Sequence, residues 1–231
     1  MTHQAPDGEE GAAPYLPSRG GLPTLRRAAA DCRGCPLYKD ATQTVFGSGT
    51  RSARLMLIGE QPGDQEDVRG LPFVGPAGKL LRKALGEAGL SEKDAYLTNA
   101  VKHFKFERQG SGRRRIHKTP DLHELKACRP WLAAELKAVD PELVVALGAT
   151  AGKALLDSSF RVGEQRGLLL PAPDWDDLGH AAASSGAAPG HGLVCTVHPS
   201  AVLRADDRES AYEGLLADLG VAAEALASGG R

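Results

Sequence analysis

Apolar residues along this chain come in short runs separated by amphipathic stretches. Leu55-Met56-Leu57-Ile58, bounded by Arg54 and Gly59, predicts a buried strand. Ala95-Tyr96-Leu97-Thr98, Leu143 to Leu147 and Leu193 to Val197 predict three more. Ala77 to Ala88 has helical spacing, with Leu80, Leu81 and Ala84 facing inwards. Asp121, preceded by Pro120, suits the cap of a long helix over Leu122 to Val139. Further helices are predicted from Ala149 to Leu156, after Gly148, and from about Glu209 to Leu226. Strand and helix in alternation predict an α/β fold: one domain, a three-layer α/β/α sandwich around a mostly parallel four-stranded sheet. In such sheets the working residues sit on loops leaving the carboxyl ends of the strands.

The flanks read differently. Residues 1–21, rich in Gly, Pro and acids, predict a disordered tail, and residues 228–231 a frayed end. That leaves a domain over residues 22–227, within which residues 171–192, dense in Ala, Gly, Ser and Pro, predict an inserted loop. No internal repeat is present. With 42% hydrophobic and 25% charged residues in 231, the composition is that of a globular protein with a sizeable core. No apolar run approaches the roughly 18 residues of a membrane span. The polar, acidic start lacks the pattern of a signal peptide, so a cytoplasmic location without membrane partners is expected.

Charge adds a sharper feature. The formal net charge is −1 and the pI about 6.7, which excludes a wholesale polycationic binder. Yet Lys102, Lys105, Arg108, Arg113, Arg114, Arg115 and Lys118 face a single acid, Glu107, between positions 102 and 118. Within this stretch Gly110-Ser111-Gly112-Arg113-Arg114-Arg115-Ile116-His117 joins two flexible glycines, three guanidiniums and an imidazole. Such a loop suits delivery of a nucleophile or proton carrier to a site lined by phosphates.

Four cysteines in a reducing compartment point to metal, catalysis or burial more than to disulfides. Cys32-Arg-Gly-Cys35 has the spacing of a two-ligand clip for zinc or an iron–sulfur cluster. Cys128 is a third candidate, and His103, after the second strand, could be the fourth. Cys195 lies inside an apolar strand, where a buried free thiol is the commoner state. Spacing alone leaves zinc and iron–sulfur both open.

Two loops carry further chemistry. After the first strand, Gly59-Glu60-Gln61-Pro62-Gly63-Asp64 crowds carboxylates onto a turn whose glycines permit close backbone approach. After the last strand, His198-Pro199-Ser200 places an imidazole at the same edge.

Together these segments resemble the uracil–DNA glycosylase superfamily, in its iron–sulfur branch. The resemblance rests on Gly59 to Asp64, Pro72-Phe73-Val74-Gly75-Pro76-Ala77-Gly78, Tyr96 to Lys102, Ala127-Cys128-Arg129-Pro130-Trp131-Leu132 and His198-Pro199-Ser200, in that order, over roughly Leu25 to Leu219. Lys102-His103 stands where that branch has Lys-Cys, and Arg113-Arg114-Arg115-Ile116-His117 follows. Both features resemble the UdgX-type subgroup, in which the loop histidine captures the sugar covalently.

The resemblance implies a four-iron four-sulfur cluster on Cys32, Cys35, His103 and Cys128, with zinc the lesser alternative. It implies that Phe73 stacks on uracil, that Asn99 reads its Watson–Crick edge beside Gly59, and that His198 donates to the departing base. Glu60 would stabilise a cationic sugar, Gln61 and Asp64 would position sugar or water, and His117 would attack C1′. Arg115 would hold the loop on a phosphate or carboxylate, with Arg113, Arg114, Lys118 and Ser200 on the DNA backbone. The expected partner is uracil-containing DNA, single-stranded favoured, with free uracil as product and a monomeric protein. The rivals are a turning-over hydrolytic glycosylase, a non-catalytic metal-stabilised DNA-binding module, and a zinc protein with a small phosphorylated ligand.

Overall fold

The computed structural model of the chain describes residues 11–110, 114–179 and 187–229. In chain order the elements are α1 (Leu22–Ala30), β1 (Leu55–Gly59), α2 (Asp64–Arg69), α3 (Pro76–Glu87), β2 (Ala95–Asn99), β3 (Phe106–Gln109), β4 (Arg114–His117) and α4 (Leu122–Val139). There follow β5 (Leu143–Leu147), α5 (Ala149–Leu155), α6 (Val162–Gln165), β6 (Leu169–Pro173), β7 (Ala187–Thr196), α7 (Pro199–Arg204) and α8 (Arg208–Ser228).

Strands β1, β2 and β5 are buried at every position, as strands covered on both faces must be. Alternation sends their side chains into two cores. Met56, Ile58, Tyr96, Val144 and Ala146 pack with Trp131, Leu132 and Leu136 of α4 and with residues of α1 and α5. Leu55, Leu57, Leu97, Val145 and Leu147 pack with α3, Val202 of α7, and Leu215 and Leu219 of α8. The three layers expected from the sequence are therefore present.

The sheet has five strands, not four, in the order β2-β1-β5-β7-β6. All neighbours are parallel except β6 and β7. The fifth strand, β6, begins just before the stretch expected to be an insert. Its Pro171 and Pro173 disguise it, and an edge strand is where proline is tolerated. Strand β7 also reaches back to Ala187, so residues 171–192 include the arms of a hairpin; residues 180–186 lie outside the described ones.

Of the tail expected over residues 1–21, residues 11–21 are described, and they are held on the domain. Ala12 is buried and donates its N–H to the Ala127 carbonyl at 2.7 Å, fastening residues 11–21 to α4. Residues 1–10 lie outside the described part. At the other end α8 runs to Ser228 and Gly229 caps it, with residues 230–231 outside.

The arginine-rich stretch is not a plain loop. Phe106 to Gln109 pair antiparallel with Arg114 to His117, in the register Phe106 to His117 and Arg108 to Arg115. This two-stranded arm stands apart from the main sheet. Gly110 turns it with φ of +64°, and Ser111, Gly112 and Arg113 lie outside the described residues. Among the described residues no helix is long and apolar enough to cross a membrane.

Candidate active site

Parallel strands deliver their carboxyl ends to one edge, and backbone bonds knit that edge together. Ala100 N–H donates to Gly59 O at 2.9 Å, and Gly148 N–H to Thr196 O at 2.8 Å. Gly59, Asn99, Gly148 and His198 thereby become neighbours. A Cβ at Gly59 would lie 2.4 Å from Asn99 Oδ1 and 2.7 Å from Phe73 Cζ, so any larger residue would displace one of those side chains. Phe73 is held with φ of +56°, a rare conformation for a bulky residue. Its carbonyl accepts from Arg82 Nη1 at 2.7 Å and presses so closely on Gly78 that a Cβ there would sit 1.6 Å from it. The Phe73 ring stacks beside His198, centroids 6.3 Å apart and planes inclined by 27°.

The tautomer of His198 follows from its neighbours. Ser200 N–H donates to Nδ1 at 3.1 Å, and Ser200 Oγ lies 2.8 Å from the same atom. Nδ1 is an acceptor, so the neutral ring carries its proton on Nε2. Burial holds the His198 pKa down at about 4, with His117 and Arg204 pushing the same way. Ser200, expected on the DNA backbone, is thus engaged with His198 through both polar atoms.

On the opposite wall, Nε2 of the half-exposed His117 stands 3.3 Å from Glu60 Oε1. The other oxygen, Glu60 Oε2, accepts from Thr150 Oγ1. Burial lowers the His117 pKa below its ordinary value; Glu60 works against this shift and Arg204 with it. Neutral imidazole is therefore the dominant form near pH 7.

Gln61, Asp64 and Arg115 brace the arm that carries His117. Gln61 Nε2 donates to Lys105 O at 3.1 Å and Lys118 O at 2.9 Å, while its Oε1 accepts from Lys105 N–H at 2.8 Å. These bonds tie the base of the arm to the loop after β1. Arg115 Nε lies 2.6 Å from Asp64 Oδ1, and its guanidinium stacks over Phe104 and Phe106 at 5.4 and 5.0 Å. Arg115 is thus paired with a carboxylate, one of the two partners expected for it. Lys118 pairs with Glu107 at 2.8 Å, and Arg114 is exposed.

These residues enclose a cavity of about 710 Å³, whose walls include Glu60, Gln61, Asp64, Phe73, Asn99, His117, Thr150, His198, Ser200 and Arg204. Residues 46–220 match the uracil DNA glycosylase superfamily. The chain belongs to that superfamily. It is 36% identical over 174 residues to a type-4 uracil-DNA glycosylase of Thermotoga maritima, covering 75% of this chain and 78% of the relative. A type-4 enzyme of Pyrobaculum aerophilum is 34% identical over 183 residues, covering 79% and 85%. One of Archaeoglobus fulgidus is 31% identical over 196 residues, covering 83% and 88%.

This uracil-DNA glycosylase superfamily member buries three of the residues expected to bind metal in one core. Cys32, Cys35 and Cys128 are buried in one core, on the side of the sheet covered by α4. Burial pushes Cys35 up to about 11 and Cys128 up to about 12, and the neighbouring thiols add to both. N–H donors are aimed at two of the sulfurs: Trp131 Nε1 at Cys32 Sγ, 3.2 Å, and Lys102 N at Cys128 Sγ, 3.3 Å. Thr44 spends its hydroxyl proton on Ala29 O at 2.9 Å, so at 2.8 Å from His103 Nε2 the ring must be the donor. His103 Nδ1 then keeps a free lone pair, the tautomer a metal ligand needs. Among the described residues no three Cys, His, Asp or Glu side chains converge as on a single ion. A tetrahedral zinc needs its sulfurs about 2.3 Å from one point. Three thiols and an imidazole are a donor set that zinc and an iron–sulfur cluster both accept.

Sequence reasoning missed three contributors. Asp67, fully buried, accepts from Arg115. Lys102 Nζ, also buried, donates to Asn99 O at 2.6 Å and to Glu135, holding the end of β2 from beneath. Thr150 is the third. Each also depends on a partner tens of residues away, Arg115, Glu135 or Glu60, which no local pattern marks.

Proposed function

We propose that this protein excises uracil from DNA and that His117 then bonds to C1′ of the deoxyribose, in the manner of the UdgX-type subgroup. One observation carries the reading: His117 Nε2 lies 3.3 Å from Glu60 Oε1 at the wall of the cavity that also holds Phe73, Asn99 and His198. Phosphate binding gains nothing from a carboxylate there, which speaks against a module that merely grips DNA.

The base enters after flipping from the stack, at a cost of a few kcal/mol that is least for single strands. Phe73 offers its ring to the pyrimidine and the Asn99 amide reads its edge. Cytosine presents a donor where uracil presents an acceptor, and the buried mismatch costs about 1–3 kcal/mol. His198 Nε2–H donates to the uracil oxygen on which negative charge builds as the glycosidic bond breaks. The bonding electrons leave with uracil, and Glu60 steadies the cationic sugar.

His117 then attacks. The imidazole gives up one proton, with Glu60 as the adjacent acceptor, and one nitrogen–carbon bond forms at C1′; the uracil anion takes up a proton. Held groups reach effective molarities of about 10⁵–10⁸ M, enough to outrun water at roughly 55 M. The resulting bond has a poor leaving group, so the adduct persists and each molecule acts once.

Cys32, Cys35, His103 and Cys128 would hold a four-iron four-sulfur cluster. Bound there, it would fasten the segment around α1 to α4 and to the end of β2.

Intact-mass spectrometry after incubation with a uracil-containing single-stranded oligonucleotide tests the reading. The expected mass is protein plus DNA minus uracil, surviving hot detergent and lost in His117→Ala. Catalytic release of uracil without any adduct would mean an ordinary hydrolytic enzyme.

A further inference from the structure

We infer that Thr150 is a positioning residue for the Glu60–His117 pair, holding the carboxylate so that one oxygen stays on the imidazole. The inference rests on the proposed role of that pair and adds a residue to it. Glu60 Oε2 accepts from Thr150 Oγ1, while Oε1 faces His117 Nε2 at 3.3 Å. The three side chains come from different elements: the loop after β1, the first turn of α5, and the last residue of β4.

A glutamate has three side-chain torsions, and one contact to a half-exposed imidazole does not fix them. The Glu60 side chain retains 20% exposure, so unheld it could turn towards water. Thr150 supplies the second point of attachment. Its residue is 7% exposed and sits on a helix, where a threonine's χ1 is confined essentially to two rotamers. The turn before it also positions it. Gly148 has φ of +90°, and a Cβ there would meet His198 Cβ at 2.9 Å. Close packing of that turn on His198 brings the start of α5 to the cavity, so the residue supporting Glu60 and the residue facing the leaving base share one backbone junction.

A hydroxyl in a first helical turn could instead cap a backbone group or face water. Here it points across to a carboxylate 90 positions away in sequence. A hydrogen bond to a charged acceptor is among the stronger ones, and a carboxylate anchored at one oxygen presents the other in a fixed direction.

Single-turnover adduct formation with a uracil-containing single-stranded oligonucleotide, followed by denaturing gel, reads the effect. Thr150→Val removes the hydroxyl and keeps the shape; at saturating DNA its rate is expected to fall about tenfold. The half-saturating DNA concentration should stay unchanged. Thr150→Ser restores the hydroxyl and should recover the rate to within about threefold of the parent. In a Glu60→Gln background Thr150→Val should slow the reaction no further, because the group it positions is gone. If Thr150→Val does not fold, as judged by its melt, Thr150→Ala takes its place.

The inference is overturned if the hydroxyl-free variant matches the parent rate, if Thr150→Ser is as slow as Thr150→Val, or if the loss is undiminished beside Glu60→Gln. Should the parent release uracil without an adduct, the covalent reading fails on its own. The same variants compared by uracil release then decide the role of Thr150.

Discussion

Arg115 Nη1 donates to Oδ2 of the fully buried Asp67 at 2.5 Å. With Nε on Asp64, the guanidinium spans two carboxylates of α2 and pins the arm that carries His117. Lysine cannot reproduce that fork. Arg115→Lys should therefore leave DNA binding nearly intact but slow adduct formation by about 100-fold, the cost of displacing a reacting group by roughly 1 Å. Single-turnover rates and DNA titrations on the same variant check the split. Equal losses in both would place Arg115 on the DNA instead.

Gly59 separates Asn99 from Phe73 with no room to spare. The Cβ of Gly59→Ala would come within 2.4 Å of Asn99 Oδ1. Since β1 is central and buried, relief must come from the Asn99 and Phe73 side chains. Uracil excision is expected to fall by at least about tenfold, with a melting temperature only modestly lower, because overpacking costs about 1–3 kcal/mol. A fully active Gly59→Ala would show that Asn99 and Phe73 do not need their present spacing.

Stability should depend on pH through His198. Its pKa falls from 6.5 to about 4 on folding because burial disfavours the charged ring. Between those values the unfolded chain binds the proton and the folded one refuses it. The contribution is thus intact above pH 6.5 and lost as pH falls from 6.5 towards 4. Urea melts should show a flat midpoint above about pH 7 and a falling one below. His198→Asn should flatten part of that fall.

A cluster on Cys32, Cys35, His103 and Cys128 would give the purified protein an absorption shoulder in the blue, which zinc would not. Cys128→Ala should bleach it and lower the melting temperature. Thr44→Val removes the acceptor that fixes the His103 tautomer, and second-shell losses of this kind weaken metal binding about 10–100-fold. Chelation should therefore bleach Thr44→Val faster than the parent.

Much of the core was legible because burial on both faces leaves unbroken apolar runs. Leu143 to Leu147 and the helix from Leu122 to Val139 have the predicted bounds, and Asp121 forms a full capping box with Glu124. Phe106 to Gln109 and Arg114 to His117 were not legible as strands. Their mostly polar, partly exposed residues lack apolar alternation, and the arm is held by Gln61, Asp64 and Asp67 from outside. β6 was hidden by Pro171 and Pro173. Within the site, the residues at predicted strand ends and in the motifs beside them stood out: Glu60, Asn99, His117 and His198. Those acting through distant partners did not: Asp67 waits on Arg115, Glu135 on Lys102 and Thr150 on Glu60. Gln61 and Asp64 were expected beside sugar or water; the structure engages their polar atoms with the arm.

Among the described residues the two-stranded arm shares no strand pairing with the main sheet, so the imidazole rides on a ribbon fastened to the rest through Gln61, Asp64 and Asp67. On the proposed mechanism, base recognition and departure belong to the sheet edge, and the fate of the sugar to a few residues fastened beside it. Descendants of such a chain could exchange permanent capture for repeated turnover, or the reverse, by rewriting that short ribbon while the machinery that reads the base stays as it is.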